Sequence, residues 1–178
     1  MYYETIKNKE QLANNLAQEF DAFSENFKIF VDLTAQNIGT RMSEDFFEGD
    51  DSDLNGNDIV WIDGVNSNEG YEIMERFADS RPVKERQSLY RALNKSHPFR
   101  VFRYALEELG ILQDWYAFKA EAYIKLAKER LDDCDIDVID GEIVCNNTKL
   151  IATYMSRTLE QECECAEEDA EEEEGGED

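Results

Sequence analysis

Polar and apolar residues follow two different rhythms along the first third of the chain. Over residues 9–24, Leu12, Leu16, Phe20 and Phe23 recur at helical spacing, one apolar stripe on a polar segment. Asn8 stands where it can cap that helix, with Gln11 three residues on as its reciprocal partner. From residue 28 the rhythm changes. Lys28-Ile-Phe-Val-Asp-Leu33 is β-branched and aromatic, and Ile38-Gly-Thr-Arg-Met42 follows after a few polar residues. This predicts two strands joined by a short turn. Ile59-Val-Trp-Ile62 predicts a third strand, stopped by Asp63-Gly64. A small antiparallel sheet is the economical assembly of the three.

Helical spacing then dominates. Asn66 and Glu69 form a capping pair for a helix over 67–79, with Tyr71, Met74, Phe77 and Ala78 along one side. Pro82 separates it from a helix over 84–94 carrying Leu89, Ala92 and Leu93. Pro98 suits a helix start, and the stripe Phe99, Phe102, Leu106, Leu109 ends at Gly110. Asp114 is the expected cap of the longest helix, about 115–132. Trp115, Phe118, Ala122 and Leu126 form one stripe along it, and Tyr116, Ala120, Tyr123, Ala127 and Leu131 another. Asp140-Gly141 between Ile136–Ile139 and Glu142–Cys145 predicts a hairpin with a type I′ turn. A last helix over 148–162 would bury Leu150, Ile151, Tyr154, Met155 and Leu159. The whole pattern predicts an α+β fold, a small antiparallel sheet packed against a helical bundle.

Charge changes this picture at one end. Of 178 residues, 42 are Asp or Glu and 18 are Lys or Arg, a formal net charge of −24. Between Glu160 and Asp178 stand twelve acids and no base, so residues 1–159 carry 18 − 30, or −12. So dense a run of like charge repels itself and lacks apolar anchors. The expected organisation is one domain over 1–159 and a disordered acidic tail over 160–178. The tail is either a solubilising extension or a segment that docks on a basic surface. The overall charge opposes nucleic acid and anionic membranes. No apolar stretch is long enough to span a bilayer and no signal peptide opens the chain, so a cytoplasmic location is expected. Cys134, Cys145, Cys163 and Cys165 are then reduced thiols.

Two segments carry candidate chemistry. Asp51-x-Asp53-x-Asn55-Gly56 matches the first half of a calcium loop, with oxygens at alternate positions. Its second half fails, because Ile62 falls where the bidentate acid belongs, and a solvated acidic loop is the simpler reading. The second segment runs against the charge of the chain. Residues 81–103 hold Arg81, Lys84, Arg86, Arg91, Lys95, Arg100 and Arg103 against the single acid Glu85. Aromatic Tyr90, Phe99 and Tyr104 are interleaved and His97 adds a titratable donor, a mixture suited to an anion. The plain alternative is that these bases pair with surrounding acids. No phosphate loop, nucleotide fingerprint or nucleophile elbow occurs, and no cofactor is implied.

Four segments together resemble an uncharacterised bacterial protein family: Phe30-Val-Asp32-Leu, Tyr71-x-x-Met74-x-x-Phe77, Phe99-Arg100-x-Phe102-Arg103 and Trp115-Tyr116-x-Phe118-Lys119. The resemblance covers about residues 27 to 136 and implies no activity. It differs at Lys95-Ser96-His97-Pro98, where the family carries a glycine-flanked segment. It implies that Phe99, Phe102, Trp115 and Phe118 pin two helices together. Arg100, Arg103 and Lys119 are then the motif positions open to a site, with Lys95 and His97 beside them. The reading is a non-catalytic binding or regulatory protein that engages an anionic ligand or protein partner. The alternatives are an enzyme acting on an anionic small molecule and an acidic mimic of nucleic acid.

Overall fold

Alternating β-branched residues turn one face of a strand inward, and the first strands obey this. The computed structural model describes residues 6–22, 27–42 and 58–147. Phe23, residues 43–57 and everything after Asn147 lie outside them, and with these the proposed calcium ligands Asp51, Asp53 and Asn55, the helix over 148–162 and the acidic tail. Within the described residues the order is α1 (Lys9–Ala22), β1 (Phe27–Asp32), β2 (Asn37–Met42), β3 (Ile59–Ile62), α2 (Ser67–Asp79), α3 (Val83–Leu93), α4 (Pro98–Leu109), α5 (Leu112–Asp133), β4 (Ile136–Ile139) and β5 (Glu142–Cys145). The fold is α+β, as the pattern predicts.

The first sheet is antiparallel with order β2-β1-β3, pairing Val31 with Ile38 on one side and Val60 on the other. Its inner face, Ile29, Val31, Ile38, Val60 and Ile62, packs with Leu12, Leu16 and Phe20 of α1. On the outer face Phe30 lies across Gly39, where any side-chain carbon would collide with the ring, and meets Trp61 edge to face at 5.5 Å. The β4–β5 hairpin turns through Asp140 (φ 54°) and Gly141 (φ 84°), both left-handed as a type I′ turn requires. The side-chain amide of Gln36 donates to the carbonyl of Ile143 and accepts from its N–H, tying the hairpin to the β1–β2 turn.

A second core forms among the helices, from Met74, Phe77 and Ala78 of α2, Leu89, Ala92 and Leu93 of α3, and Phe102 and Leu106 of α4. Phe77 is its centre, with the rings of Trp115, Phe118 and Phe102 at 5.3, 5.4 and 6.4 Å in edge-on geometry. Helix α5 belongs to both cores. Trp115 and Phe118 pack on the helical one, while Ala127 and Leu131 are buried in the sheet-side one. This explains its broad apolar character, although the two stripes are not equally used. Tyr116 and Ala120 are exposed.

Most helix ends match the sequence. Asn66 and Glu69 form the predicted capping box, and Gly110 closes α4 at φ 70°. The start of α5 is a correction. The helix begins at Leu112 with Ile111 as its N-cap, and Asp114 lies inside the first turn. There its carboxylate suits the positive end of the helix and accepts from Arg81 at 3.0 Å. Among the described residues, no helix is long and apolar enough to cross a membrane.

Candidate binding site

The basic segment of the sequence does not remain one patch. Arg81 is taken up structurally: its Nε donates to Glu85 at 2.8 Å, an Nη donates to Asp114, and its guanidinium lies 5.4 Å from the Phe77 ring centre. The hydrogen bond to Glu85 raises its already high pKa. Arg86 donates to the Arg81 carbonyl at 3.2 Å. Arg86 and Arg91 then line the outer face of α3 with Tyr90 and Asn94, and Lys95 follows just beyond its end. All of these come from one helix and its C-terminal end, so they form a polar surface and not an enclosure. The phenol of Tyr90 donates to Asp79 at 3.0 Å, and this bond pushes its pKa above the ordinary 10.0.

Arg103 instead belongs to a cleft between α2, α4 and α5, of about 240 Å³. Ile73, Met74, Phe102 and Leu106 supply buried apolar surface, and Trp115, Tyr116 and Tyr123 line the α5 side. The charged groups among its described lining residues are Arg103 and Lys119, both cationic. Arg103 Nε donates to Glu107 one turn on at 3.2 Å, across a pair that is largely solvent-exposed. Exposed pairs of this kind contribute at most about 1 kcal/mol, so the guanidinium can turn to another anion at small cost. The Lys119 ammonium lies 5.1 Å from the Tyr123 ring centre.

The aromatic motif segments therefore converge here: Met74 from the first helix, Phe99, Phe102 and Arg103 from the second, and Trp115, Tyr116 and Lys119 from the third. Phe102 is buried, in line with a pinning role. Phe99 is not a core residue; it is 48% exposed and leans over α2 at Gly70. A side-chain carbon at Gly70 would come within 3.2 Å of Phe99 Cε1. A glycine inside a helix costs about 1 kcal/mol relative to alanine, and the Phe99 ring gives this one a reason.

Of the remaining candidates, Lys95 lies on the α3 surface, while His97 and Arg100 line neither place and are exposed. His97 precedes Pro98, which disfavours a right-handed helical conformation, and it takes a left-handed one at φ 59° with no side-chain cap. Sequence reasoning passed over Gly70 and read Tyr116 only as part of an apolar stripe and an aromatic motif, not as a site residue. The available signal was a glycine within a clear helical pattern. Outside the cleft, Cys134 and Cys145 are free thiols, and burial raises the Cys134 pKa above its ordinary value. Among the described residues, no cluster of potential metal ligands occurs.

No family model matches this chain, and no curated protein or solved structure matches it. The motif resemblance accordingly stays with the residues that carry it, and the functional reading stands on the geometry of the cleft.

Proposed function

We propose that this protein is a non-catalytic binding module that engages an acidic partner through the cleft and the basic α3 surface. One observation carries the reading: Arg103 and Lys119 are the charged groups on the described lining of an otherwise apolar and aromatic cleft. Such a site rewards a ligand with negative charge at its edge and apolar surface at its centre. Arg86, Arg91 and Lys95 form a separate basic surface on α3. The net charge of −24 does not cancel this, because at physiological ionic strength charges are screened over about 8 Å and the local groups dominate a contact. A cytoplasmic setting suits the free thiols Cys134 and Cys145.

A thermal-shift titration of the full chain with octaglutamate, inorganic phosphate and oligo(dT) tests the reading. Octaglutamate should raise Tm by mass action, and R103Q/K119Q should weaken that binding about tenfold. Stabilisation by phosphate alone would move the reading to a small anionic ligand. No stabilisation by octaglutamate at low salt would end it.

A further inference from the structure

We infer that the cleft receives one large apolar side chain from an acidic segment of a partner protein, with flanking carboxylates held by Arg103 and Lys119. This rests on the binding-module reading and names its ligand.

Size is the first argument. Drug-sized ligands and cofactors occupy pockets of roughly 300–1,000 Å³. At about 240 Å³ the cleft is smaller, yet it is large enough for a single leucine, phenylalanine or tryptophan side chain. Its floor of Met74, Phe102 and Leu106 offers such a side chain no charged group, so burial there removes water from apolar surface on both partners. Tyr116 and Phe99, 42% and 48% exposed, supply aromatic walls that a bound side chain would cover.

The second argument is charge complementarity. A residue seated in the cleft places its sequence neighbours at the rim, beside the charged lining residues Arg103 and Lys119. Arg103 can leave its exposed partner Glu107, and its planar group suits a carboxylate. Long nucleic acid is the weaker candidate. Single strands are bound in extended basic grooves with successive stacking platforms, whereas this cleft is short and is bounded by α2, α4 and α5. A chain of −24 also repels a polyanion over its whole length, while a short acidic segment needs only two cations close by.

Gly70 sets the width of the mouth. Its missing side chain lets Phe99 lie against α2, and an added carbon at 3.2 Å from that ring would push it by a few tenths of an ångström. Gly70→Ala thus alters the cleft without removing a contact from the core, and alanine favours the helix.

The test is fluorescence anisotropy on the full chain with labelled nine-residue peptides of glutamate carrying leucine, tryptophan or alanine at the centre. A serine-flanked leucine peptide and oligo(dT) complete the set. The leucine and tryptophan peptides should bind roughly ten- to a hundredfold tighter than the alanine peptide. Gly70→Ala should reduce that preference about threefold or more with no fall in Tm, and R103Q/K119Q should weaken all the glutamate peptides. If the glutamate peptides bind equally whatever their centre, the basic surface stands and the anchored-peptide inference is overturned. If none binds, both readings fall. Equal binding of the serine-flanked peptide would overturn the carboxylate clamp, and preferential binding of oligo(dT) would replace the peptide by nucleic acid.

Discussion

Asp32 shows how one buried charge can organise a turn. It is 5% exposed, and its Oδ1 accepts the backbone N–H groups of Thr34 and Ala35 at 2.9 and 2.7 Å. Both donors sit in the β1–β2 turn, where the strand ladder cannot reach them. The turn is therefore held by a carboxylate from the end of β1, and next to it Gln36 reaches across to Ile143. Asp32→Ala should lose about 1–3 kcal/mol of stability in urea denaturation, since two part-buried donors lose their acceptor. Asp32→Asn keeps an oxygen in place and should lose clearly less. The strand and the turn were legible from Lys28 to Met42. The role of Asp32 was not, because an aspartate before a turn reads the same whether it faces water or two amides.

Helix α5 is the element on which the rest depends. Its N-terminal half completes the aromatic cluster around Phe77, and its C-terminal half closes the sheet-side core through Ala127 and Leu131. Arg130 adds a polar tie, donating to Glu69, which also caps the backbone N–H of Asn66 at 3.0 Å. The helix start of α2 is thus fastened to α5 by the residue that caps it. Because one rigid helix is shared, the two cores should unfold together. Leu16→Ala and Leu89→Ala, both at fully buried positions in different cores, should each cost about 2–5 kcal/mol. Trp61 reports on the sheet and Trp115 on the helices, so W61F and W115F variants should show the same urea midpoint for the remaining tryptophan within the shift each substitution itself causes. Separate transitions would show two independent domains. The existence and C-terminal end of α5 were readable from periodicity. Its start was not, since Asp114 resembles a cap and only the contact with Arg81 shows why it sits in the first turn.

At the scale of the whole molecule, charge and shape point in opposite directions. The chain is strongly acidic, yet the described cleft presents two cations around an apolar floor. An acidic partner of the kind proposed would be repelled at a distance and attracted at contact. Neutralising part of the acidic run, with Glu171, Glu172, Glu173 and Glu174 changed to Gln, should raise the association rate for the glutamate peptides at low salt. The difference should shrink as ionic strength rises toward about 0.15 M and beyond, where the Debye length falls to about 8 Å or less. Stopped-flow anisotropy at two salt concentrations measures both effects.

Local patterns were enough to determine the α+β class, every described strand, the helix count over 67–133, the α2 capping box and the Asp140-Gly141 turn. These depend on residues that are neighbours in the chain, so periodicity and turn chemistry carry them. The same reading saw seven bases in residues 81–103 as one patch. Only the tertiary structure divided them, sending Arg81 to Glu85 and Asp114, leaving Arg91 on the outside of α3 and joining Arg103 to Lys119 across a helix interface. It also moved Phe99 from the expected core to the mouth of the cleft, because Gly70 on another helix leaves room for the ring. Helix periodicity records which face of a helix is apolar. Which neighbour that face meets, and whether a gap remains between them, depends on packing among elements distant in sequence.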